Sequence, residues 1–325
     1  NILRTGFSPY PFLISIYYSP EIKKRLTDEI NNGNYDLIHA ETSYVMPYLP
    51  KNKLPIILAE QTIMSRVFGH YVSHEAPWWL QPLLYIDVLK IRYWEEYFWK
   101  RANRLAAVSQ EDAEVIEKTI SKVKVDVIRN GVGDDFDKAS KKLHFNKNIF
   151  YIGNYKWMQN WEAAEILAKK VFPLVKLKMP DTKLNIFGQF PTDSMRKLNS
   201  PDLQIIELPD SDRDGVVEAY QKSGLLVAPI YGPSGTRLKI LAAMASMTPV
   251  VTTPIGSEGL GVKDGISMMI GETYQGIADR VVKILSDKKL YEKIAKNAKK
   301  IVDNKFTWEQ IAHELELIYE EIIKK

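Results

Sequence analysis

Residues 229–254 read P-I-Y-G-P-S-G-T-R-L-K-I-L-A-A-M-A-S-M-T-P-V-V-T-T-P, and this stretch decides the fold class. It continues an apolar run, Leu225 to Ile230, that ends at turn residues, as expected of a parallel strand covered on both faces. Gly232, Pro233, Ser234 and Gly235 break the run. A helix is expected from Thr236, because Leu238, Ile240, Leu241, Met244 and Ala245 leave little room for a polar face. Val250 to Thr253 returns to strand character, and Pro254 ends it. A glycine-rich turn between a strand and a helix N-terminus is an anion site, since the first-turn amides lack intrahelical partners and the helix dipole favours negative charge. Arg237 and Lys239 add two cations there, and a diphosphate suits the combined charge. The same residues also fit an ordinary strand–helix connection with solvated basic side chains.

Moving outward, short apolar runs alternate with helical patterns along the whole chain. Tyr35–Ala40, Ile56–Ala59, Arg104–Ser109 and Val125–Ile128 read as strands in the first half, and Ile149–Ile152, Leu184–Gly188, Leu203–Ile206 and Leu225–Ile230 in the second. Such alternation argues for parallel α/β units with ligands beyond the strand carboxyl ends. That rule singles out His39, Glu41, Glu60, Gln61, Ser109 and Asn130 in the first half. Ser109, with Asp112 three residues on, reads as a helix cap rather than a nucleophile. Lys156 fits both a phosphate contact and a solvated surface lysine.

At 325 residues the chain exceeds one core and suggests two domains of about 100–200 residues each. A net charge of +4 is too small to argue for nucleic acid. The absence of cysteine excludes disulfides and thiolate metal sites and fits a cytoplasmic protein. No apolar run has the length a bilayer needs, and no signal peptide is recognisable. Asp210-Ser211-Asp212 reads as a surface turn, and no metal cluster is expected.

The segment from His70 to Arg104 holds four of the seven tryptophans, with basic residues following. One reading is a peripheral contact with the inner face of a membrane, Trp78 and Trp79 at the headgroups and Lys90, Arg92, Lys100 and Arg101 facing anionic lipid. The other is a helix pair whose aromatics fill a domain core, which is the expectation for Tyr93, Tyr97 and Phe98.

The string G-T-R-L-K-I-L-x-A-M-A-x-x-x-P-V-V-x-T resembles the donor-site segment of retaining GT-B glycosyltransferases of the family-4 type (glycosyltransferase group 1). Y-D-L-I-H-A, P-I-I-L-A-E-Q-T, A-V-S-Q-E-D-A, I-R-N-G-V and F-Y-I-G-N-Y-K-W-x-x-N-W-E-A match that family in order, while its usual opening strand and Gly-rich loop are absent from this sequence. The resemblance implies two Rossmann-like parallel-sheet domains facing across a cleft. Residues 1–143 would form an acceptor-side domain truncated at its start, 144–303 the nucleotide-sugar-binding domain, and 304–325 a helix packing back on the first. Lys138–Lys147 would be the hinge.

The implied activity is transfer of a sugar, hexosyltransferase-type, from a UDP-, GDP-, ADP- or dTDP-sugar to a glycan or lipid-linked acceptor, with no required metal. Arg237, Lys239, His39 and Gln61 would carry catalysis. Gly153, Asn154, Lys156, Ser234, Gly235, Thr236, Leu238 and Ala242 would bind the donor, and Glu207–Asp210 would lie against the base. Two family glutamates correspond to Ser234 and Ala242, and a family glycine to Met247. Histidine often stands where this chain has Gln61, and glutamine cannot act as acid or base near neutral pH. These departures keep open a second reading, an inactive relative that binds a nucleotide sugar or a partner protein.

Overall fold

The structure, a computed structural model, describes residues 8–120, 123–133, 135–136, 143, 145–232 and 237–324. They form two compact units, one built from residues 8–129 and 312–324, the other from 130–232 and 237–311. Ser234, Gly235, Thr236 and most of Lys138–Lys147 lie outside the described residues.

The first unit holds a parallel sheet of β1 (Ile38–Glu41), β2 (Ile56–Glu60), β3 (Arg104–Ala107) and β4 (Val125–Val127), in that order. Registers such as Ala40↔Leu58 and Leu58↔Leu105 align apolar side chains across it. Every residue of β2 is buried, which is why its sequence runs apolar without alternation. The helices are α1 (Phe12–Tyr17), α2 (Pro20–Asn32), α3 (Met64–His74), α4 (Gln81–Arg101) and α5 (Gln110–Thr119). Ser109 caps α5, its hydroxyl accepting the Asp112 N–H at 3.1 Å. Helix α4 presents Ile91, Glu95, Phe98 and Trp99 to the core. Tyr93 and Tyr97, expected inside, are instead 64% and 42% exposed. They fall on the far side of the helix from the buried set, and only Phe98 of the expected three is in the core.

The second unit has a six-stranded parallel sheet in the order β10-β9-β8-β5-β6-β7. Its strands are β5 (Ile149–Asn154), β6 (Leu184–Gln189), β7 (Leu203–Glu207), β8 (Leu225–Ala228), β9 (Val250–Thr252) and β10 (Met269–Ile270). Between and after them run α6 (Met158–Ile166), α7 (Phe172–Lys178), α8 (Asp193–Arg196), α9 (Arg213–Lys222), α10 (Leu238–Ala245), α11 (Pro254–Ser257), α12 (Tyr274–Ser286) and α13 (Lys288–Lys305). Strand order reverses at β5, which pairs with β6 over six residues but with β8 over two, Ile149↔Leu225 and Phe150↔Leu226. Their carboxyl ends are thus free of mutual ladder bonds, which opens a switch-point crevice. The last helix, α14 (Trp308–Ile323), begins in this unit and finishes in the first, where Leu315, Ile318, Tyr319 and Ile322 cover Ile57, Ala59 and Ala106.

The helix expected from Thr236 begins at Leu238, with Arg237 as its N-cap at φ −82°, ψ 76°. It ends in a Schellman arrangement, Thr248 N–H to Ala243 O at 2.8 Å and Met247 N–H to Met244 O at 3.2 Å. That motif requires a left-handed residue, and Met247 supplies it at φ 51°. Glycine adopts this conformation without the clash a Cβ brings. Met247→Gly should therefore raise the stability of the second unit by about 0.5–1 kcal/mol, visible as a higher urea midpoint with unchanged slope.

Candidate functional site

In the second unit the site is assembled at the carboxyl ends of β5, β6 and β8. Lys239, in the first turn of α10, donates through Nζ to Tyr151 Oη at 2.7 Å and to Asn160 Oδ1. Its ammonium also lies 4.4 Å from the centroid of the Tyr151 ring. Tyr151 in turn donates to Asn160 Oδ1 at 3.3 Å, and Asn160 Nδ2 donates to the Asn154 carbonyl at 2.9 Å. A strand, a turn and two helices are thereby tied to one cation. Desolvation, reinforced by the neighbouring Arg237, lowers the Lys239 pKa to about 7. This corrects the picture of a solvated surface lysine at that position. The arrangement leaves a cation poorly stabilised by its surroundings, at the end of a helix whose dipole disfavours it.

Arg237 is buried, and its Nη2 donates to the carbonyls of Gly232 at 3.2 Å and Ile255 at 3.4 Å. It therefore links the turn after β8 to α11, which Thr253 caps by accepting the Gly256 N–H at 3.1 Å. Two cations in the opening residues of one helix are electrostatically costly unless an anion joins them. Leu238, on the same turn, is 54% exposed, whereas Ala242, one turn on, is buried.

Gly153 and Gly188 let the turns after β5 and β6 close up. A Cβ on Gly188, whose φ is +149°, would sit 1.8 Å from the Gly153 carbonyl oxygen, and one on Gly153 would sit 2.9 Å from Asn160 Cγ. Asn154 donates to Gln189 Oε1 at 2.8 Å and accepts the Lys156 N–H at 3.0 Å. The Lys156 ammonium stands 3.5 Å from the centroid of the Phe190 ring. Phe190 is itself held at φ 55° and is partly exposed. Left-handed backbone at a bulky residue marks a position that its surroundings over-determine.

The first unit carries a separate cluster at the ends of β1 and β2. Gln61 Nε2 donates to Glu41 Oε2 at 2.8 Å, and His39 Nε2 lies 3.5 Å from Glu41 Oε1. His39 Nδ1 meets the Tyr319 hydroxyl. Burial lowers the His39 pKa despite the opposing pull of Glu41, so the imidazole is neutral at pH 7. His39 and Gln61 thus belong to one network, with Glu41 as its hub. Below it lie two buried carboxylates. Glu60 accepts from Trp99 Nε1 at 2.8 Å and from Ser43 Oγ, and Glu95 accepts the Met64 N–H at 2.6 Å at the start of α3. Burial raises their pKa values to about 7 and about 8.

Sequence reasoning thus placed Lys239, Arg237, Gly153 and Asn154 in one neighbourhood but assigned nothing to Tyr151, Asn160 or Phe190. A tyrosine inside the otherwise apolar F-Y-I-G-N strand, followed by an asparagine at the next helix, was the available signal. Among the described residues no group of three or more His, Asp or Glu side chains could hold a metal ion.

Residues 146–287 match the family described as glycosyl transferases group 1, and residues 1–136 match Glycosyltransferase Family 4. A Klebsiella pneumoniae protein described as an uncharacterized 44.6 kDa protein in the cps region is 26% identical over 260 residues, 76% of this chain. The matched region spans 65% of that protein's length. Among solved structures, a mutant of S. aureus TarM in complex with fondaparinux, alpha-GlcNAc-glycerol and UDP has a TM-score of 0.73 at 14% identity, covering 92% of this chain and 58% of that one. Anabaena HepE in complex with UDP and glucose gives 0.64 at 16% identity, covering 93% and 81%. The chain has the GT-B fold, and the two family matches with that fold support a GT-B glycosyltransferase.

Proposed function

We propose that the protein transfers a sugar, with retention and without a metal, from a nucleoside-diphosphate sugar to a glycan or lipid-linked acceptor. The observation that carries this reading is the pair of cations, Arg237 and Lys239, held at the N-terminus of α10 beside a switch-point crevice. A departing nucleoside diphosphate develops negative charge, and preorganised cations and helix amides are the physical means of stabilising it. Lys239 is the catalytic group facing the phosphates in this scheme. Arg237 fixes the turn, Gly153 and Gly188 let β5, β6 and Asn160 pack closely behind it, and Asn160 aims the lysine. The UDP bound by TarM and HepE supports a nucleotide donor, and the alpha-GlcNAc-glycerol in the TarM complex supports a sugar-bearing acceptor or product. On the acceptor side, a neutral His39 and Gln61 around Glu41 offer hydrogen bonds to sugar hydroxyls rather than proton transfer by Gln61.

Ala242 favours a second reading, an inactive relative that binds a nucleotide sugar or a partner protein, because an apolar side chain offers the ribose no acceptor and weakens the donor site. Calorimetric titration with UDP, GDP, ADP and dTDP tests both. One nucleotide should bind, and Ala242→Glu should tighten it about ten- to hundredfold, the worth of one charged hydrogen bond of ~1.5–3 kcal/mol. Binding by neither folded protein would overturn the donor-site assignment. Binding without release of nucleoside diphosphate from any supplied sugar nucleotide would select the second reading.

A further inference from the structure

The outer face of α4 is apolar along its length. Leu83, Ile86, Leu89, Tyr93 and Tyr97 are 64%, 54%, 64%, 64% and 42% exposed. Their spacings of three and four residues place them on one arc of about 120° at 100° per residue. Ile91, Glu95 and Phe98 occupy the opposite arc and are buried. At the amino end of the stripe the turn before α4 carries Trp78 and Trp79, 83% and 66% exposed. Helix α1 extends the same surface. Phe12 N–H donates to Asp87 Oδ1 at 2.9 Å and Trp94 Nε1 donates to the Pro9 carbonyl at 2.8 Å, which fasten residues 8–17 beside α4, with Phe12, Ile16 and Tyr17 exposed.

We propose that this face lays the first unit on an anionic phospholipid bilayer. Three features favour lipid over a protein partner. The large side chains are arranged in a line on a single helix of 21 residues, about 30 Å long, suited to a plane rather than a concave pocket. Tryptophan and tyrosine, the residues that settle at headgroup depth, mark both ends of the stripe. Charge is complementary as well. Lys100 and Arg101 share the apolar arc with Lys90, which donates to the Ser8 carbonyl at 3.0 Å, while Glu96 is paired with Arg92 at 3.1 Å. Glu75, exposed at the tryptophan end, and Asp87, which accepts the Phe12 N–H, are the carboxylates opposing this pattern among the described residues 70–101 outside the Arg92–Glu96 pair and the buried Glu95. The surface would hold the enzyme where a lipid-linked acceptor resides, which extends the transfer reading without depending on it.

The full chain should cosediment with vesicles of phosphatidylcholine mixed with phosphatidylglycerol, less with pure phosphatidylcholine, and less again at high salt. Trp78→Ala with Trp79→Ala, and separately Leu89→Glu, should each lower the bound fraction about tenfold. Leu177→Glu, on an exposed leucine of the second unit, should leave it unchanged. All sites are exposed, so melting temperature and circular dichroism should match the parent. Blue-shifted tryptophan emission on vesicle addition, lost in the double variant, is the matching spectroscopic sign. Equal binding by parent and variants, or none by any, would overturn the assignment. So would a Leu89→Glu variant that merely converts a vesicle-indifferent dimer to monomer, which would give the face to a second copy. Turnover plays no part in these readouts, so failure here is separable from failure of the transferase reading.

Discussion

Lys239→Met should lower kcat/KM for sugar transfer by about 10²–10³-fold, the scale seen when one preorganised donor to a developing anion is removed. Methionine keeps the length and apolar stem while deleting the charge. A proton-linkage signature distinguishes this role from a structural one. With its pKa lowered to about 7, Lys239 is mostly neutral at pH 8 in the free protein. A diphosphate beside it restores the charged form, so nucleotide binding at pH 8 should take up close to one proton. The enthalpy of binding should accordingly depend on the buffer's ionisation heat in the parent and lose that dependence in Lys239→Met. Nucleotide affinity should fall as pH rises above about 7, because the protein must then gather the proton from a scarcer supply. The same shift acts on stability. The unfolded chain holds a proton that the folded one releases between pH about 7 and about 10.5, so this group makes the second unit more stable as pH rises through that window. Lys239→Met should abolish that rise. A variant with normal proton uptake, or with unimpaired turnover, would remove Lys239 from the site.

Glu95→Gln should produce the opposite pH effect in the first unit. Burial raises Glu95 to about 8 and Glu60 to about 7 from an ordinary 4.5, so the folded state holds protons that the unfolded chain gives up. Their contribution is complete below pH 4.5 and is lost as pH rises through about 7 and 8. Urea unfolding of the parent should therefore show the first unit on the order of 6 kcal/mol less stable at pH 8 than at pH 5. In Glu95→Gln the amide oxygen still accepts the Met64 N–H at the start of α3, and the residue no longer ionises. The fall should shrink by more than half, with Glu60 supplying the remainder. An unchanged slope would mean that Glu95 stays charged and paired in the fold.

The parts of the fold legible in the sequence were those with a local physical cause. β2 and β8 are buried on both faces, so they read as continuous apolar runs between turn residues. Helix α4 was legible as a helix but not in its orientation. Leu84, Ile91 and Phe98 alternate with Leu83, Ile86, Leu89 and Tyr93, so apolar residues surround the helix and periodicity selects no inward face. The structure resolves this by turning Tyr93 and Tyr97 outward. The start of α10 was misplaced because Arg237 is not a residue that usually caps a helix. The Lys239–Tyr151–Asn160 contact was invisible for another reason. Its members come from α10, β5 and α6, which only a non-consecutive strand pairing brings together.

That pairing has a kinetic side. β5 and β8 are far apart in the chain and share two ladder pairs, so closing their seam costs loop entropy that few bonds return at once. Local β5–β6 and β8–β9 pairing can form before it. The Lys239 clamp spans this seam, and it can exist only after the two halves of the sheet have met. An anion bound there stabilises contacts made late in folding. Its effect should fall on the rate at which the second unit opens rather than the rate at which it assembles. Any anion that joins the clamp would thus hold the second unit folded longer without folding it faster.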